Sequence, residues 1–299
     1  MLILAKAAMA IMLGFVISLV FGFFFVTFAK KRNVRQNVSH TVGERHIKKD
    51  GTIALVYIKE VIEMKRILFM ILKNIIHVPG MLIRLLHYAA NVDKYTEEER
   101  NQLLREIVGY ANRGGNVTIK VTGRENIPDE NGFIMYPNHQ GMYDVLAIID
   151  CLPNPVSVVY KIELKDIPFI KQIAKCVKGF FIDRDDVRQS MKVIMEVAQE
   201  VQKKRNYIIF PEGTRSKNGN NVGEFKGGSF KAATKAKCPI VPVALVDSFK
   251  PFDSNSLKPV EVQVHFLEPL YYEEYKDMKT VEIAEEVRRR IEETIKKNI

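Results

Sequence analysis

The sequence predicts an α/β protein with a mostly parallel central sheet flanked by helices, preceded by an N-terminal transmembrane helix and an interfacial helical pair. Three observations carry that expectation. From residue 117 onward, short β-type runs alternate with helical patterns. The run from Ala7 to Ala29 contains no charged residue. Between them, Ile53 to Ala90 is apolar over most of its surface, with charges recurring along one helical face.

Composition narrows the class first. The chain has 299 residues, 47% hydrophobic and 27% charged, with 17 Gly and 12 Pro, which excludes a disordered or collagen-like chain. That length supports one catalytic-sized domain plus an appendage. Lys and Arg number 45 against 35 Asp and Glu, a net charge of +10 that suits a polyanionic partner: nucleic acid or an anionic membrane surface. Cys151, Cys176 and Cys238 are scattered and form no C-x-x-C pair, which fits a reducing compartment and argues against structural zinc.

The N-terminal elements favour the membrane. At 1.5 Å per residue, Ala7–Ala29 would extend roughly 34 Å as a helix, enough for a hydrocarbon core of about 30 Å. It is too long for the apolar core of a signal peptide, and Lys6 alone is a thin leader for one. Lys30, Lys31, Arg32 and Arg35 follow at once, so the positive-inside rule places the remainder on the cytoplasmic side of the cell membrane. The stretch from Lys30 to Asp50 holds seven basic and two acidic residues, and each cation near an anionic surface gains about 1 kcal/mol. No aromatics interleave with these charges and no nucleic-acid motif follows, so nucleic acid is not expected as a partner.

Next, Lys59, Glu63, Arg66 and Lys73 line one helical face, and Leu55, Ile62, Leu68, Met70, Leu72 and Ile76 cover much of the rest. His77-Val78-Pro79-Gly80 is expected to break this helix, with Met81–Ala90 resuming it. Two interfacial helices in the cytoplasmic leaflet are one reading. A hairpin packed on the soluble domain is the other. The resulting division is a transmembrane anchor over 1–30, a basic linker over 31–52, amphipathic helices over 53–92 and a soluble domain over 93–299.

Within that domain, Thr96-Glu97-Glu98-Glu99 has the form of a capping box and opens a helix running to Gly114-Gly115. Strands are predicted at Val117–Val121, Gly132–Tyr136, Val156–Tyr160, Phe180–Ile182, Tyr207–Phe210, Ile240–Val246 and Val260–Phe266. Helices are predicted at Tyr143–Cys151, Ile167–Val177, Val187–Lys203, Ser229–Ala236 and Val281–Lys297. The alternation implies a largely parallel sheet covered on both faces.

Two blocks carry chemistry. In Pro137-Asn138-His139-Gln140-Gly141-Met142-Tyr143-Asp144, a turn between strand and helix brings a carboxylate back to an imidazole. Such a bond fixes the tautomer and leaves the second ring nitrogen free to take a proton. In Phe210-Pro211-Glu212-Gly213-Thr214-Arg215-Ser216, a charged Glu-x-x-Arg group emerges from an apolar strand end. Strand C-terminal ends are where α/β sheets hold ligands, and Arg offers a planar fork for phosphate oxygens. Each block alone is also compatible with an ordinary surface turn.

Together with Lys178-Gly179-Phe180-Phe181-Ile182-Asp183-Arg184 and Ile240-Val241-Pro242-Val243, these blocks closely resemble the four ordered motifs of the lysophosphatidic acid acyltransferase family, the 1-acylglycerol-3-phosphate acyltransferases. The likeness covers about Thr118 to Glu268. Gly141 departs from the pattern, since many members have Ser there.

The resemblance implies that His139 is the general base and Asp144 its orienting partner, acting on the sn-2 hydroxyl of lysophosphatidic acid. It implies that Arg184 and Arg215 hold the phosphate, that Glu212, Gly213 and Thr214 complete the pocket, and that Pro242 lies on the acyl-donor side. It also implies an acyl-CoA or acyl carrier protein donor, phosphatidic acid as product, and neither metal nor bound cofactor, while the basic linker points to anionic membrane lipids as neighbours. Glycerol 3-phosphate or another lysolipid is the competing acceptor. An inactive anionic-lipid-binding protein is the reading from another class, and it leaves an intact His139–Asp144 pair unexplained.

Overall fold

A computed structural model describes residues 65–216, 218–254 and 256–299. The expected span at Ala7–Ala29, the basic linker and the start of the helical pair lie outside the described residues.

The described chain opens with helices α1 (Lys65–Lys73) and α2 (Val78–Ala90), bent by 98° at the break between them. The break lies at Asn74–His77, one turn earlier than the sequence predicts. Pro79 sits in the first turn of α2, where its missing N–H has no intrahelical partner to lose, so it starts a helix instead of ending one. No single described helix is long and apolar enough to cross a membrane, although α1 and α2 pass that test of length and composition as a bent pair.

Helix α3 (Glu97–Gly115) begins at the expected capping box. Thr96 Oγ1 accepts from Glu99 N at 3.2 Å, and the Glu99 carboxylate accepts from Thr96 N at 2.7 Å. Then come β1 (Val117–Thr122), β2 (Ile134–Pro137), α4 (Asp144–Cys151), β3 (Ser157–Lys161), α5 (Pro168–Cys176), β4 (Phe180–Ile182), α6 (Val187–Gln202) and β5 (Tyr207–Ile208). The chain closes with α7 (Lys231–Ala236), β6 (Ile240–Val246), α8 (Lys250–Asp253), β7 (Val260–Phe266), α9 (Tyr272–Tyr275) and α10 (Thr280–Asn298).

The seven strands form one sheet in the order β1-β7-β6-β2-β5-β3-β4. Every neighbouring pair is parallel except β6–β7, so β1 and β7 run against the other five. The β6–β7 link carries only the four-residue α8, with no full crossover helix to bring the chain back for parallel pairing. Alternate side chains feed two cores. Met135, Ile208, Val241 and Val243 face α3, α4 and α5, while Ile134, Tyr136, Ile240 and Ala244 face α6, α7 and α10.

The helical pair belongs to the first of these cores, through buried Met70, Leu85 and Ala89. Arg66 is 1% exposed, and its guanidinium donates to the carbonyls of Gly115 (2.6 Å), Lys258 (2.9 Å) and Ser256. Asn74 Nδ2 donates to Met70 O and Tyr110 O. One face of the pair therefore packs on the domain, as in the hairpin reading. The opposite face leaves Leu68, Leu72, Ile76, Ile83 and Leu86 exposed.

Candidate active site

The parallel strands end on one edge of the sheet, and β2 delivers His139 there two residues after Pro137. Asp144 is the first residue of α4 and is fully buried. Its Oδ2 accepts from His139 Nδ1 at 2.7 Å and from Gln140 N at 2.7 Å. Gly141 N reaches both carboxylate oxygens at 3.0 Å, and Ser248 Oγ donates to Oδ1 at 2.7 Å. Among the described residues the carboxylate is thus held by neutral donors and the imidazole, and its bond to Nδ1–H leaves Nε2 with the lone pair. Phe210 lies 4.2 Å from the imidazole, ring centre to ring centre, and limits its rotation.

The His139 main chain is clamped at both ends by the second block. Glu212 Oε1 accepts from His139 N at 2.7 Å, and Ser216 N donates to His139 O at 2.7 Å. Gly213, between them, has φ of +73°, a left-handed turn that glycine adopts without strain.

Glu212 is placed inward, against the main chain of the catalytic turn. It is 6% exposed, and its second oxygen accepts from Gly223 N at 3.1 Å, so each oxygen holds a backbone N–H. A buried carboxylate would also repel a phosphate. Burial pushes Glu212 above the usual carboxylate range, against the opposing pull of the two N–H donors and His139.

Thr214 and Arg215 project from the same loop and are exposed; among the described residues Arg215 has neither a hydrogen bond nor an ion pair. Arg184 follows β4, three strands from β2, or roughly 14 Å across the sheet at about 4.8 Å per strand. It is half-buried without a hydrogen bond or ion pair among the described residues; burial lowers its pKa, offset partly by the charge of Glu163. Pro242 is buried in β6, in register with Tyr136, and so presents no surface to a donor.

Sequence reasoning missed four contributors. Gln140 and Ser248 bond to each other and to Asp144, Asn220 Oδ1 accepts from Gln140 Nε2 at 2.9 Å, and Lys226 Nζ lies 3.2 Å from where a Cβ on Gly213 would stand. Only Ser248 had a signal, as a hydroxyl two residues beyond a motif strand. Gly141, the departure from the family pattern, is crowded: a Cβ there would come within 3.2 Å of both Asp253 Oδ2 and Phe249 Cα. All three thiols are buried, with Cys151 and Cys238 pushed up to about 12 and Cys176 to about 11, so none is a ready nucleophile.

The Acyltransferase family profile matches residues 118–246, a span that contains His139, Asp144, Arg184, Glu212–Arg215 and Pro242. A 1-acyl-sn-glycerol-3-phosphate acyltransferase of Salmonella typhimurium is 33% identical over 180 residues, covering 59% of this chain and 73% of that protein. A probable 1-acyl-sn-glycerol-3-phosphate acyltransferase of Mycoplasma pneumoniae is 27% identical over 227 residues, covering 71% and 84%. The crystal structure of the 1-acyl-sn-glycerophosphate (LPA) acyltransferase from Thermotoga maritima aligns with a TM-score of 0.62, covering 80% of this chain and 98% of that one; at 24% identity the likeness is one of fold.

Proposed function

The chain belongs to the 1-acyl-sn-glycerol-3-phosphate acyltransferase family, and from that membership we propose that it moves a fatty acyl group from a thioester to the sn-2 hydroxyl of 1-acylglycerol 3-phosphate, giving phosphatidic acid. The observation that carries the reading is the buried Asp144 bonded to His139 Nδ1, which leaves Nε2 as a proton acceptor. In this mechanism Nε2 takes the proton of the acceptor hydroxyl as its oxygen attacks the thioester carbonyl. The tetrahedral intermediate collapses, the carbon–sulfur bond breaks, and the imidazolium returns the proton to the departing thiolate. The acceptor hydroxyl is itself the nucleophile, which agrees with three inert thiols.

Arg215 and Arg184, neither of them in a hydrogen bond or ion pair among the described residues, would meet the phosphomonoester, with Lys226 adding charge beside Gly213. Glu212 would serve the pocket indirectly, by holding the main chain of His139. The donor is an acyl thioester, of coenzyme A or of a carrier protein.

We further propose attachment to the cytoplasmic face of the cell membrane through Ala7–Ala29, helped by the basic linker and the outer face of α1 and α2. Exposed Leu68, Leu72, Ile76 and Ile83 support that reading, as does an acceptor that is itself a membrane amphiphile. The test is the full-length protein in mixed micelles, offered both donors against lysophosphatidic acid and glycerol 3-phosphate. Turnover is expected on lysophosphatidic acid and should fall about 10²–10⁴-fold in His139→Ala. Preference for glycerol 3-phosphate, or an active His139→Ala variant, would refute the reading.

A further inference from the structure

Ser248 lies two residues beyond β6 and is fully buried against the catalytic turn, 104 residues from Asp144 in the sequence. Its hydroxyl stands 2.7 Å from Asp144 Oδ1 and 2.9 Å from Gln140 Oε1. A serine hydroxyl has one proton, and the nearer, charged oxygen is the stronger acceptor. Gln140 Oε1 is satisfied independently, by Ser248 N at 2.9 Å.

The chain is shaped to deliver that hydroxyl. Asn138 exchanges both of its amide atoms with the Leu245 backbone, at 2.7 and 3.1 Å, and so ties the end of β6 to the catalytic turn. Asp247 then takes a left-handed conformation, φ +61°, which turns Ser248 inward. That turn is itself braced by Asn220 and by Lys250, whose Nζ lies 2.6 Å from Asp247 Oδ2.

We propose that Ser248 is a positioning residue for the base: it holds the Asp144 carboxylate from the side opposite His139 and draws negative charge away from the oxygen that faces the imidazole. The β6 segment thereby acts on the base, which gives its apolar, buried run a task at the site. The inference rests on His139 being the base.

Removing the hydroxyl leaves more charge on Asp144, so the imidazolium is stabilised and His139 keeps its proton to higher pH. Other charged groups lie around the pair: Glu212 from the loop after β5, with Arg215 exposed three residues on, Lys226 beside Gly213, Asp253 from α8 against Gly141, and the Asp247–Lys250 pair behind Asn220. All remain in the variants below, so a difference between those variants reports the hydroxyl.

The experiment is a kcat–pH profile of the full-length protein in mixed micelles with lysophosphatidic acid and an acyl-CoA. In Ser248→Ala, kcat should fall roughly 10- to 100-fold, with KM within about twofold and the acid limb displaced to higher pH. Ser248→Cys, close in size but a weaker donor, should lie between wild type and Ser248→Ala, and it carries the test if the alanine variant does not fold. A folded variant with a lowered melting temperature but an unmoved acid limb would overturn the proposal and leave Ser248 a packing residue. Should His139→Ala retain turnover, the base assignment fails instead, and the two failures are distinguishable.

Discussion

Glu212→Gln separates a brace from a ligand. In the folded chain the two carboxylate oxygens accept from His139 N at 2.7 Å and Gly223 N at 3.1 Å. Gln keeps one acceptor and turns an NH2 group toward the other N–H, so one bond is lost and one donor is left facing a donor. Such a loss costs about 1–3 kcal/mol, and relief of the buried charge offsets part of it, for a net of about 1–2 kcal/mol. For a domain of this size that lowers the melting temperature by about 2–8 °C.

The same change frees the main chain of His139, and a displacement of order 1 Å lowers kcat roughly 10- to 100-fold while KM for lysophosphatidic acid stays within about twofold. The pH dependence has a definite sign. Burial raises the pKa of Glu212, so the folded state binds its proton more tightly than the unfolded one. Its stability contribution is fully present below the ordinary carboxylate range and declines as pH rises through the raised value. The gap in unfolding free energy between wild type and Glu212→Gln should therefore narrow from acid toward neutral pH, as followed by denaturant titration. A variant with wild-type kcat and a raised KM would refute the brace and return Glu212 to the substrate.

If Arg184 and Arg215 bind the phosphomonoester, replacing either with Ala should raise KM for lysophosphatidic acid more than KM for the donor in steady-state assays. Arg215→Lys should rescue only in part, because an ammonium cannot reproduce a planar fork. Deleting residues 1–29 should leave reversible, salt-sensitive binding to anionic vesicles, measured by flotation. Deleting through Ala90 also removes Arg66, Met70, Leu85 and Ala89 from the core, so that fragment should lack a cooperative thermal transition.

Several features were legible because their signals are local. The capping box at Thr96 announces α3, the apolar runs of β6 and β7 announce buried strands, and His139 with Asp144 announces a bonded pair. The reversal of β7 was not legible, since direction depends on how the β6–β7 link packs and not on the strand's own residues. Pro79 read as a breaker because sequence alone does not say whether proline ends one helix or begins the next. The bracing bonds of Glu212 were not legible, because a charged residue in a motif looks the same whether it points outward or inward. Ser248 reaches Asp144 only through the folded course of β6, and no periodicity links residues so far apart in the chain.

Arg66 has a consequence for how the molecule can come apart. Among the described residues its acceptors are main-chain carbonyls from α3 and from the segment before β7, and none of these is a carboxylate. Acid has nothing to neutralise among these acceptors, and a guanidinium keeps its proton across the ordinary pH range. Salt has little purchase on a contact shielded from solvent. The exposed Arg84–Glu106 pair, by contrast, can be weakened by either treatment. The joint that Arg66 makes between α1, the end of α3 and the segment before β7 is therefore one that acid and salt do not readily loosen, and parting it requires displacing the peptide segments that supply the carbonyls.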